Sequence, residues 1–121
     1  MCGPITKEDK DLAAEFIYLT LLLEHMESDM ELFNKIPVKL NDPYVTFMDS
    51  IIKVVLKDLV FVKKKMKEKQ IKVLDPVNVN EDFMQYEYYV RGYNTVFRFF
   101  KPVLKNRVSD RAEKYFIGNK K

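Results

Sequence analysis

Apolar residues recur along this chain in steps of three and four. Leu12, Phe16, Leu19, Leu23, Met26, Met30 and Phe33 form one such series, which puts all seven on one stripe of a helix. Thr6, followed three positions on by Asp9, supplies an approximate capping box at its start. Pro37 closes it, because the residue before a proline avoids the helical region. The predicted span is 7–34. Asp42 and Pro43 open a second helix over 43–70, with aspartate as cap and proline at the first helical position. Its stripe is Tyr44, Met48, Ile51, Val55, Leu59, Val62 and Met66.

The period fails between Gln70 and Val79, where Asp75-Pro76 marks a turn or an extended link. The stretch IKVL has strand character but no evident partner strand. Asn80 then caps a third helix over 81–116, with Glu81 and Asp82 where the helix dipole favours negative charge. Phe83, Tyr86, Val90, Tyr93, Phe97, Phe100, Leu104, Val108, Ala112 and Tyr115 make its stripe, which is kinked or broken near Pro102. Three long helices with short connections predict an all-α fold: an antiparallel up-down-up three-helix bundle forming one domain over 1–121.

Composition agrees with that expectation. The chain has 121 residues, 47% hydrophobic and 32% charged, with three glycines and five prolines. That is enough to bury one core, and it leaves few positions for tight turns. The one cysteine, Cys2, excludes an intramolecular disulfide and a thiolate metal cage. No apolar run reaches the ~18 residues of a membrane span, and the polar start MCGPITKEDKDL is unlike a signal peptide. The expectation is a cytoplasmic protein without membrane contact.

Charge changes the picture more. The net charge is +3, yet residues 1–50 balance to −6 and residues 51–121 to +9. The densest run is VKKKMKEKQIK, with Lys63, Lys64, Lys65, Lys67, Lys69 and Lys72. In an antiparallel bundle this end of helix two would lie beside Glu8 and Asp9 of helix one and Glu81 and Asp82 of helix three. The run is then a solvated, partly paired helix end. It contains no arginine for bidentate phosphate contact and no aromatic ring for base stacking. The alternative is a polyanion contact through these six lysines.

Further apolar residues fall off the main stripes. Met84, Tyr88, Gly92, Thr95 and Phe99 follow one another in helical steps opposite Tyr86, Val90 and Phe97, and helix one carries Tyr18 and Leu21 off its own stripe. A three-helix monomer needs one apolar stripe per helix, so the second ridge predicts a contact surface for a protein partner or a homodimer. Gly92 would admit a neighbouring backbone.

Catalytic chemistry is sparse. His25 is the sole histidine, and Glu24 beside it has the wrong spacing for a carboxylate–histidine metal pair, so neither metal nor cofactor is expected. Ser28, Ser50 and Ser109 have no base other than that histidine. Asp58 sits within the apolar face of helix two, where a carboxylate requires a cation; Arg91 or Arg98 of helix three is the expected partner in a register-setting ion pair.

The stretches KLNDPYVTFMDSIIKVVLKDL and YVRGYNTVFRFF resemble the YhjD-like group, short uncharacterised helical proteins of Bacillus-type bacteria, over most of the chain. That resemblance implies a bacterial cytosolic protein associated with sporulation. It contains no motif of known chemistry and assigns no site residue. The leading expectation is therefore a non-catalytic helical-bundle protein acting through protein–protein interaction or self-association. A nucleic-acid-binding regulator using the basic ends of helices two and three is the alternative. A small-ligand pocket among Tyr86, Tyr89, Tyr93 and Phe97 ranks third.

Overall fold

The computed structural model describes residues 4–35 and 41–118. Cys2, Gly3 and Pro37, and the side chains of Phe33 and Asp42, lie outside that description. The first two helices form where the periods put them: α1 over Lys7–Lys35 and α2 over Asn41–Glu68. At the head of α1 the Thr6 backbone N–H donates to Asp9 Oδ2 (3.0 Å) and the Asp9 N–H to Thr6 Oγ1 (3.2 Å). This reciprocal pair satisfies two of the orphan donors at a helix start.

The predicted third helix does not exist over 81–100. The segment from Ile71 onward folds as β1 (Ile71–Val73), β2 (Val77–Asn78), β3 (Phe83–Val90) and β4 (Tyr93–Phe100), and only then as α3 (Lys101–Gly118). The fold is α+β rather than an all-α bundle. β1 and β2 pair with one edge of β3 and β4 pairs with the other, all antiparallel. The strand left without a partner at IKVL is β1, opposite Tyr88–Val90.

Local chemistry explains the switch. Residues 83–100 are dominated by phenylalanine, tyrosine, valine and threonine, and contain no alanine, leucine or lysine. Such residues favour a pleated surface over a helix, where their χ1 freedom is lost. Between the strands Arg91 (φ 48°) and Gly92 (φ 88°) both take left-handed conformations, which is the type I′ turn that matches strand twist in a two-residue hairpin. A Cβ on Gly92 would meet nothing within 4 Å, so this glycine serves backbone conformation and not close approach. Asn80 does use its side chain as a cap does: its Oδ1 accepts from the N–H groups of Asp82 (2.8 Å) and Phe83 (3.0 Å). Here it shapes the turn into β3. Pro102 falls in the first turn of α3, where its missing N–H is no loss.

One face of the sheet carries Tyr86, Tyr88, Val90 and Phe99 into the core, against Tyr18 of α1, whose ring meets Phe99 edge-on at 6.1 Å. Ile17, Leu19 and Leu22 of α1 and Ile51, Val55, Leu59 and Val62 of α2 complete that core. The α2 stripe is buried largely as its period implies. On α1 the buried set is rotated toward Ala13, Ile17 and Leu22, because this helix must serve α2, α3 and the sheet at once.

Candidate functional site

Three features gather the polar and exposed apolar residues. The first is a buried knot at the hairpin tip. The Arg91 guanidinium donates to Asp9 Oδ2 (2.6 Å), to the Lys69 carbonyl (3.1 Å) and to the Pro4 carbonyl (3.2 Å). Asp9 is only 1% exposed. The hydrogen bond from Arg91 is the main reason that its carboxyl is held down at about 2; burial acts the other way, and Thr6 adds to the lowering. One side chain thus ties the β3–β4 turn to the head of α1 and the tail of α2.

The expected partnership of Asp58 with Arg91 or Arg98 does not form. Asp58 accepts from the Tyr115 hydroxyl (2.5 Å) on α3, and burial together with that bond raises the Tyr115 pKa above the ordinary phenol range. Arg98 donates to Gln85 Oε1 (3.0 Å) across the hairpin. Arg111 of α3 grips Glu15 through both of its carboxylate oxygens and lies over the Tyr18 ring.

The second feature is the lysine run. Lys69 pairs with Glu8 at 2.9 Å, so the basic tail of α2 does adjoin the acidic head of α1. The other expected neutralisation is lost with the third helix: Glu81 and Asp82 sit in the exposed turn before β3, and no ion pair joins them to the run among the described residues. Lys63, Lys64, Lys65, Lys67 and Lys72 are exposed, and Lys65 lies over the Phe61 ring.

The third is the sheet itself. The Leu74 N–H donates to the Glu87 carbonyl (2.9 Å) and the Val79 N–H to the Phe83 carbonyl (3.0 Å). Odd-numbered backbone groups of β3 therefore face β1 and β2, and even-numbered ones face β4. In the continuous register from Phe83↔Phe100 to Val90↔Tyr93, the partners of those even residues are Tyr93, Thr95, Phe97 and Phe99. The N–H and C=O groups of Asn94, Val96 and Arg98 consequently point away from β3, along an edge with no further strand among the described residues. The face turned from the helices is also apolar in part: Tyr89, Val96 and Phe100 are 37%, 45% and 43% exposed.

The ridge expected on an outer helix face lies elsewhere than that expectation put it. Met84 and Phe99 are cross-strand partners, as are Tyr88 and Thr95, all on the inward face of the sheet. Tyr88, Phe99 and Tyr18 are buried in the chain's own core, and Gly92 is the turn. Leu21 lines a cleft between α1 and α3. The four aromatics considered as a pocket do not converge: Tyr86 and Phe97 face inward, whereas Tyr89 faces out. The alternation MQYEYYV followed by RG signals the β3–β4 hairpin, but no residue of β4 signals that its outer edge is free. Among the described residues no group of three or more histidine, cysteine or acidic side chains is placed to hold a metal ion, and no helix is long and apolar enough to cross a membrane.

A family model described as YhjD protein matches residues 4–120. The chain is 24% identical over 114 residues to a Bacillus subtilis (strain 168) protein named "Uncharacterized protein YhjD", covering 94% of each chain. No solved structure matches it.

Proposed function

The chain belongs to the YhjD family, and from that premise we propose that it is a non-catalytic cytoplasmic protein that works by protein–protein contact, with self-association through β4 as its principal form. The observation that carries this reading is the bare edge of β4. Natural sheets blunt exposed edges with prolines, lysines, bulges or very short strands. β4 runs for eight residues, Tyr93–Phe100, with an unbroken register and neither proline nor lysine. Such an edge accepts another strand by main-chain hydrogen bonding.

A second copy fits it in antiparallel register about Val96. There Val96 meets its own symmetry mate, and Arg98 lies opposite the uncharged Asn94 of the other chain. A register centred on Arg98 would set two guanidinium groups against each other, and like charges directly opposite are destabilising. The pairing is isologous, as a two-fold dimer requires. Analytical ultracentrifugation tests it: the native chain should sediment as a dimer at high micromolar concentration. Val96→Pro removes one outward N–H, Val96→Lys sets two charges face to face, and both should yield folded monomers. A native chain that stays monomeric overturns the self-association form, and a dimer indifferent to both substitutions overturns the edge.

A second reading rests on the unpaired lysines of α2. With the acids of the supposed third helix displaced, Lys63, Lys64, Lys65 and Lys67 face solvent without ion-pair partners among the described residues, which suits non-specific contact with a polyanion. Binding to duplex DNA or RNA should then weaken steeply with added salt and disappear on replacing Lys63, Lys64 and Lys65 by alanine. Absence of binding at low salt removes this reading.

A further inference from the structure

Between α1, α3 and the start of β3, with Met48 of α2 at its wall, lies a cleft of about 550 Å³, within the ~300–1,000 Å³ of small-molecule sites. Its walls are apolar, with Leu22, Met26, Met48, Met84, Leu104 and Phe116 among them. Methionine side chains are unbranched and polarizable, so these walls suit a flexible chain better than a rigid ring.

Charge enters the cleft unevenly. Lys101 and Lys105 line it from α3, and from α1 come His25 and the single carboxylate of Asp29. The two lysines stand one helical turn apart, on the same side of α3. Neither has an ion-pair partner among the described residues, and Lys101 is half-buried. Lys105 is exposed, and long lysine side chains lay their methylene stems along apolar surface while the ammonium stays in water, so the pair sets two positive charges beside the apolar walls. A ligand that offers one anionic group at the lysines and an apolar body to the methionine wall satisfies both halves of the site.

We propose that this cleft binds a long-chain fatty carboxylate, its acyl chain along the apolar walls and its head group held by Lys101 and Lys105. The inference does not depend on self-association.

Isothermal titration of the full chain with saturated fatty acids of increasing length, each below its micelle concentration, tests it, with the matching alcohols as uncharged probes. Saturable binding of one acid per chain is expected. Affinity should rise about fourfold for each added methylene until the cleft is full. The double substitution Lys101→Glu, Lys105→Glu should weaken acid binding about tenfold while leaving alcohol binding in place. Ala112→Trp should abolish both by filling the cleft, and Ser109→Trp replaces it if circular dichroism shows that fold to be lost. No saturable binding at any chain length, or binding indifferent to the filled cleft, overturns the site. Alcohols that bind as tightly as acids, or acid binding unchanged by the lysine reversal, overturn the anionic head group.

Discussion

Arg91→Ala removes the cation from a carboxylate that has almost no access to water. Arg91 and Asp9 side chains are 14% and 2% exposed and meet at 2.6 Å. The native pair holds the Asp9 pKa at about 2 against an ordinary 3.8, and at ~1.4 kcal/mol per pKa unit this is about 2 kcal/mol in favour of the ionised folded form. A depressed folded pKa contributes stability that is complete above about pH 4 and lost as pH falls toward 2. Deleting the arginine does more than cancel that contribution, because a buried charge is left unpaired; such losses run to about 3–5 kcal/mol. Two backbone carbonyls, of Lys69 and Pro4, also lose their donor. Against a total of about 5–15 kcal/mol for an ordinary domain, the variant should be near the edge of folding at neutral pH. Urea unfolding of the native chain, Arg91→Ala, Asp9→Asn and the double variant, at pH 7 and pH 3, measures the pair. Arg91→Ala should lose about 3 kcal/mol at pH 7 and distinctly less at pH 3, where Asp9 can take a proton, and the double variant should be more stable than Arg91→Ala. A loss below about 1 kcal/mol with an unchanged acid branch would refute the knot as an organising contact.

Gly92→Ala forces a Cβ into a left-handed backbone and should cost about 1 kcal/mol although the space around it is open, seen as a lower urea midpoint with unchanged slope. Burial, helped by Glu24, pushes the Tyr86 hydroxyl up to about 12, so a phenolate absorbance titration should show a tyrosine ionising late. The matching stability is whole below about pH 10 and declines as pH rises toward 12; a Tyr86→Phe variant with the same alkaline limb would count against it. Replacing Lys63, Lys64 and Lys65 by alanine should change stability by no more than about 0.5 kcal/mol per site, since these side chains are exposed, and differential scanning calorimetry would show a larger effect as a shifted midpoint.

How far the candidate sites were legible follows from the period. The helices of residues 7–68 can be read because a 3.6-residue repeat over seven or eight turns has no strand equivalent. The capping box at Thr6 and Asp9 and the adjacency of Lys69 to Glu8 follow from those helices. Residues 83–100 mislead for a definite reason: positions four apart share a face in a helix and in a strand alike. Met84 with Tyr88, Tyr86 with Val90, and Thr95 with Phe99 satisfy both periods. Composition and the central Arg91-Gly92 turn broke the tie, and both are local signals. The bare edge was harder to see, because an edge is a property of which strand lies outside, not of any residue in it.

The amino-acid sequence by itself determined two long amphipathic helices, the capping box that starts the first, and a set of aromatic residues that had to be buried in part. The tertiary structure alone decided which acid answers which base. Asp9 and Arg91 are 82 positions apart and meet only because a type I′ turn carries the arginine back to the head of α1, whereas Asp58, expected within the apolar face of α2, is exposed and is answered by Tyr115. The physical reason is range. Helical periods and turn conformations arise from neighbours a few residues apart, while ion pairs, sheet edges and clefts exist only once distant segments have packed.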